Sequence, residues 1–164
     1  MAKRIVVADA SPLIGLASAG AFDLLRQLYG QITITDIVRD EVLSGGRLPG
    51  ALELTDALGA GWVTVVKAPA GGSLFSSLDA GEASTLNFAI EHSGSCLLLM
   101  DDLSGRFHAS ARGLAVTGVA GVLLAARRQG LVKSIKPLLE RLEESNFRLS
   151  STVVRAVLDE VGED

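Results

Sequence analysis

Hydrophobic positions along this 164-residue chain fall into two alternating kinds of run. Short, evenly apolar stretches, "RIVVA", "QITIT", "WVTVV", "CLLLM" and "LAVT", are too brief for helices and read as strands buried on both faces. Between them apolar residues recur at helical spacing over about 12–29, with a break at Gly20, and over 36–44, 50–59, 80–92, 103–112 and 119–129. This alternation predicts an α/β fold of βαβ units, a mostly parallel sheet of four to five strands covered by helices on both faces.

Punctuation residues refine the picture. Ser11 and Pro12 predict the N-cap and first residue of the opening helix, and "APAGGSLFSS" (68–77) reads as a loop. Beyond Gly130, Ser134 and Ser150 predict the caps of two more helices. The expected organisation is one domain over 1–132 with a helical extension over 133–164 packed on it.

Composition then narrows the classes. A net charge of −4 excludes a generally basic nucleic-acid coat, and Cys96, the single cysteine, excludes an internal disulfide and a cysteine zinc cluster. "MAKR" with the following apolar residues imitates a secretory signal, but Asp9 interrupts it. "LAVTGVAGVLLAA", about 13 residues, falls short of the roughly 20 that span a bilayer. The expectation is a cytoplasmic protein that does not enter a membrane.

The acids carry the chemical interest. Asp9 ends the first strand, at the sheet edge where ligands bind in open parallel sheets, although a helix cap would also use it. Asp101 ends the fourth strand, and Asp102 is placed to cap a helix expected to bury Leu103, Phe107 and Ala111. Glu41 falls between Ile37 and Val38 on the helical wheel, inside an apolar face where a carboxylate is costly unless paired, protonated or metal-bound, although a Glu at the end of the face would also reach water. Glu82 shares a face with Leu86 and Ile90, yet also stands three residues after Asp79 in a capping-box spacing. Asp9, Glu41, Glu82 and Asp101 cannot all ionise in one crevice without a cation, and all-oxygen ligands favour Mg²⁺ or Mn²⁺.

On "VVADASPLI", "ITDIVRDEVL", "LDAGEASTLNFAIE" and "LLLMDDLSGRFHASARGLAVTGVAGVLLAARRQGLV", the chain resembles the PIN-domain family of metal-dependent ribonucleases, which includes VapC-type toxins. It looks closest to a PIN-like subgroup with an extended helical C-terminus. The resemblance implies a three-layer α/β/α fold, with Asp9, Glu41 and Asp101 as catalytic acids. Glu82 stands where many members have an Asp, and Asp102 is a further candidate, so the implied metal ligands are Asp9, Glu41, Glu82, Asp101 and Asp102. The implied cofactor is Mg²⁺ or Mn²⁺. RNA, with tRNA or rRNA as examples, a cognate antitoxin and a second copy of the chain are the implied partners.

Ser11 beside Asp9, and Arg106 and Arg112 on the helix after Asp101, are the expected substrate contacts. Arg127, Arg128, Lys133 and Lys136 form a second basic group that would serve a cationic rim. His92 and His108 read as surface or satisfied residues rather than catalysts. Two rival readings stand beside the nuclease. One is a phosphatase of haloacid-dehalogenase type, although Ser11 occupies the place of its second Asp. The other is a non-catalytic module that pairs through apolar helices such as "GVAGVLLAA" and "STVVRAVL".

Overall fold

The computed structural model describes residues 4–69 and 77–164. β1 (Ile5–Ala8) leads into α1 (Ala10–Ser18) and α2 (Leu24–Tyr29), and β2 (Ile32–Thr35) into α3 (Asp36–Leu43) and α4 (Ala51–Ala60). β3 (Val63–Val66), β4 (Cys96–Leu99) and β5 (Ala115–Thr117) lead to α5 (Ala80–Glu91), α6 (Leu103–Ala111) and α7 (Val119–Arg128). α8 (Lys136–Glu144) and α9 (Ser151–Val161) close the chain. The expected loop over 68–77 falls mostly on residues 70–76, outside the described residues.

All strand pairings are parallel, in the order β3-β2-β1-β4-β5. Parallel strands need crossovers, and the helices of those crossovers cover both faces, so the strands read as unbroken apolar runs. Val6, Ala8, Ile34 and Leu99 face a large core shared with α1, α2 and α7. Val7, Leu98 and Met100 face a smaller one under α5 and α6. Leu139, Leu142 and Val157 place α8 and α9 in the larger core. Strand order reverses between β1 and β4, which opens a crevice at their carboxyl ends, where the chain leaves in opposite directions.

Local expectations fail in four places, each for a physical reason. α1 starts at Ala10, with Asp9 at its N-cap in extended conformation, so Ser11 and Pro12 both lie in the first turn. Proline is tolerated there because the first N–H groups of a helix lack intrahelical partners. α8 has Ile135 at its N-cap, and the Ser134 hydroxyl instead donates to Glu163. Leu103 and Phe107 are 82% and 69% exposed, and Ala111 is exposed too. The side of α6 that meets the sheet is made by Gly105 and Ala109, and a Cβ on Gly105 would lie 2.2 Å from Met100 Sδ. Finally, Val119, Val122, Leu123 and Ala126 of "GVAGVLLAA" are core residues, which removes that stretch as a docking face.

Candidate active site

Asp9 stands at the reversal of strand order. Its backbone N–H donates to Leu99 O at 2.9 Å, which extends the β1–β4 ladder to the first residue beyond β1 and fixes Asp9 beside the end of β4. The residue is only 2% exposed. Burial pushes its carboxyl up to about 7, a hydrogen bond from the Ala10 backbone opposes this, and the charges of Glu82, Asp79 and Glu41 raise it further.

Those three acids come from α3 and from the start of α5, and a polar network locks the two elements together. Thr35, buried at the end of β2, caps α3 by accepting from Val38 N, and its hydroxyl lies 2.8 Å from Ser84 Oγ. Ser84 Oγ and Thr85 Oγ1 donate to Gly81 O at 2.9 and 2.8 Å. At the head of α5 the capping box is complete: Asp79 Oδ1 accepts from Glu82 N at 2.8 Å, and Glu82 Oε1 accepts from Asp79 N at 3.0 Å. Burial, and after it the charges of Asp79 and Asp102, lift Glu82 to about 7 against the backbone hydrogen bond.

Glu41 departs from the wheel reading. Val38 and Val42 are buried while Glu41 and Ile37 are exposed, so Glu41 reaches solvent from the end of the apolar face rather than entering a core. Its carboxyl reaches Gly81, where a Cβ would lie 3.0 Å from Glu41 Oε1 and 3.5 Å from Asp79 Oδ1. Desolvation at that carboxyl and the charge of Asp79 raise its pKa. Gly81 thus lets two carboxylates share a space that any other residue would fill. Both Gly81 and Asp79 went unrecognised in the sequence as site residues, because the capping-box spacing accounted for Asp79 completely.

Asp101 is held differently. Its Oδ1 and Oδ2 accept from Val119 N at 3.1 and 3.2 Å, so the carboxylate sits on the positive end of α7. Burial raises its pKa overall, while that hydrogen bond and Arg106 pull the other way. Arg106 also donates to Met100 O at 3.2 Å. Asp102 caps α6, its Oδ2 accepting from Gly105 N at 2.8 Å. The structure therefore gathers Asp9, Glu41 and Glu82 with Asp79 into one electrostatic cluster, and ties Asp101 to Arg106 and α7.

The expected substrate contacts separate as well. Ser11 is exposed in the first turn of α1, close in sequence to Asp9, and Arg106 stands at the β4 side of the crevice. Arg112 is the C-cap of α6, about 15 Å along the helix from Asp102. Arg127 and Arg128 lie at the far end of α7 from Asp101, where they meet Glu163 and Glu160, and Lys136 donates to Asp164 O. That group secures the C-terminus rather than the crevice rim. His92 Nδ1 lies 2.9 Å from Phe88 O, and its ring stacks on Phe88.

Parallel strands in the order 3-2-1-4-5, with a buried acid at the reversal, specify a fold and a site together. The PIN-domain family model DUF3368 matches residues 5–163. The chain belongs to the PIN-domain family. Among solved structures, a PilT N-terminus domain protein from the hyperthermophilic archaeon Sulfolobus solfataricus P2 superposes with a TM-score of 0.57 at 15% identity. The match covers 74% of this chain and 93% of the archaeal one, and at that identity it speaks for the fold. No curated protein sequence matches this one. PIN domains are generally nucleases and typically use divalent metal ions, and membership of this family, not the metal, sets aside the haloacid-dehalogenase alternative.

The residues present can be tested against such an ion. Among the described residues no three acidic, histidine or cysteine side chains already converge as a ready ligand set. The donor chemistry fits a hard cation all the same: carboxylate oxygens alone, with Asp9, Glu41 and Glu82 each raised above the ordinary pKa by burial and, after it, by neighbouring carboxylates. Opposite charge at their centre relieves the repulsion that burial and proximity create. Among the described residues no helix is long and apolar enough to cross a membrane.

Proposed function

We propose that this PIN domain is a Mg²⁺- or Mn²⁺-dependent endoribonuclease. One observation carries the reading: Asp9 is buried at the strand-order reversal, where burial first and then the charges of Glu82, Asp79 and Glu41 disfavour its ionised form. Asp9, Glu41 and Glu82 would hold the cation with Asp79 as the neighbour that completes the negative wall, and Asp101 would close the β4 side. When bound, a divalent cation supplies charge neutralisation at the phosphate and acidifies water for attack.

The chain's own groups do the rest. Arg106, beside Asp101 and the Met100 carbonyl, would bind a phosphate on the β4 side, and Ser11 would offer its exposed hydroxyl from the first turn of α1. Val119 N keeps the Asp101 carboxylate oriented while substrate enters. Aromatic residues are few, one Trp, one Tyr and five Phe in 164 residues, which favours backbone and shape recognition of a structured RNA such as tRNA or rRNA over base stacking. The biological setting proposed with this activity is the toxin of a type II toxin–antitoxin pair, restrained by a cognate antitoxin. It rests on the resemblance of the four sequence motifs.

The test is cleavage of a mixed panel of tRNA, rRNA fragments and unstructured RNA with Mg²⁺ or Mn²⁺ against EDTA. The proposal expects metal-dependent cutting. A folded protein that cuts nothing in any metal, yet retains RNA in a filter-binding assay, would make it a binding module instead.

A further inference from the structure

Two backbone ladders end side by side at the crevice, and they carry their acids apart. Asp9 N donates to Leu99 O across β1 and β4, whereas Met100 N donates to Thr117 O at 2.9 Å across β4 and β5. Asp101, the next residue, is led toward the β5 side, where both of its oxygens accept from Val119 N at the start of α7. Arg106 arrives there from α6. Gly105, packed on Met100 Sδ, brings α6 close enough for the half-buried Arg106 to donate to Met100 O at 3.2 Å. The Asp101 carboxylate and the Arg106 guanidinium then share the space over Gly118 that a Cβ would fill.

Charge follows the same division. Asp101 has the positive end of α7 and a guanidinium for neighbours, and a divalent cation bound to it would face both. Asp102, one residue on, adds its charge to Glu82 instead. We infer that Asp101 is a positioning residue for Arg106 and lies outside the metal's ligand set. Its carboxylate and the Met100 carbonyl hold the guanidinium on the β4 side, and the other N–H donors of the fork take one phosphate of the RNA backbone. This departs from the ligand role that the sequence resemblance implies for Asp101. The identity of the phosphate rests on the ribonuclease reading; the division of the acids does not.

Filter binding of unfractionated tRNA in EDTA, with Mn²⁺ calorimetry on the same proteins, tests both halves. Asparagine at 101 keeps an oxygen for Val119 N, so Asp101→Asn should fold, and circular dichroism of each variant checks it. Arg106→Ala should weaken tRNA binding about tenfold with Asp101 present but no more than about twofold beside Asp101→Asn, the non-additivity of a coupled pair. A loss of the same size in both backgrounds would leave Asp101 a structural residue and overturn the inference. Asp101→Asn should hold Mn²⁺ affinity within about threefold of wild type, whereas Asp9→Asn should lower it at least about tenfold. An Asp101→Asn protein that loses Mn²⁺ as Asp9→Asn does would make Asp101 a ligand and equally overturn it. Arg106→Ala protein that retains tRNA as well as wild type would remove the phosphate contact. Wild type that takes up no Mn²⁺ would count against the metal-dependent nuclease alone, and the tRNA cycle in EDTA would still decide the pairing of Asp101 with Arg106.

Discussion

Gly118 lies so close to Asp101 that a Cβ on it would stand 2.3 Å from Asp101 Oδ1 and 3.0 Å from an Arg106 guanidinium nitrogen. Its φ of −124° is open to any residue, so close approach and not backbone freedom demands glycine here. Gly118→Ala should push the carboxylate off Val119 N. The expected cost is about 1–3 kcal/mol, the penalty of leaving a buried polar group without its partner, read from the urea midpoint. RNA cleavage should fall with it, because the displaced group is a candidate site acid.

Asp9 should cost the metal-free protein stability. Its folded pKa of about 7 lies above the ordinary 3.8, so folding favours the protonated form. Stability without metal is therefore greatest below about pH 4 and declines as pH rises through 7. Asp9→Asn, which cannot ionise, should be more stable than wild type in EDTA at pH 8, by on the order of 2–4 kcal/mol, with the advantage gone near pH 4. Denaturant titrations at the two pH values measure it. The pattern is a site that sacrifices stability for charge.

The opposite sign applies at the C-terminus. Burial raises the Glu163 pKa, but hydrogen bonds from Ser134 and from the Ile135 and Lys136 backbone, with the charge of Arg127, pull harder and bring it below the ordinary 4.5. Glu163 thereby serves as the N-terminal cap that Ile135 cannot provide to α8. Its contribution is present in full above pH 4.5 and is lost as pH falls through the lowered value. Glu163→Gln should cost about 1 kcal/mol at pH 7, as lost caps do, and progressively less as the pH is taken down through the acid range. Thermal melts of both proteins from pH 7 downward give the comparison.

Gly81→Ala separates stability from metal binding. Alanine is the better helix former, by up to about 0.5–1 kcal/mol in a helix interior and less at the first turn where Gly81 lies, so α5 should hold its stability. Its methyl would crowd Glu41 Oε1 at 3.0 Å and drive the Glu41 and Asp79 carboxylates apart. Mn²⁺ affinity measured by calorimetry should drop by about tenfold, comparable to losing a supporting ligand contact. An unchanged affinity would take Glu41 out of the metal's reach.

Much of the fold was readable because strands buried on both faces leave uninterrupted apolar runs, and each of the five quoted runs holds a strand. Family membership was readable from the same motifs. Side-chain placement on helices was less so. Leu103 and Phe107 looked like core because large apolar residues usually are; the controlling fact was the height of Met100 beneath α6, which selects glycine and alanine at 105 and 109. Glu41 fell inside an apolar arc on the wheel, but the arc narrows to Val38 and Val42 once α3 packs beside α5. Thr35 and Ser84, 49 residues apart, form a buried pair that no local pattern announces. The Asp79–Glu82 capping box was legible as a cap, and its second use as part of an acidic wall needed Glu41 from another helix.

The most direct test of the central claim is single-turnover cleavage of an RNA substrate by wild type and Asp9→Asn, with Mn²⁺ and with EDTA. The account predicts cutting by wild type in Mn²⁺ alone, and a rate at least about a hundredfold lower for Asp9→Asn even though that variant is the more stable fold. Cleavage that survives EDTA, or an Asp9→Asn protein that cuts as fast as wild type, would contradict it.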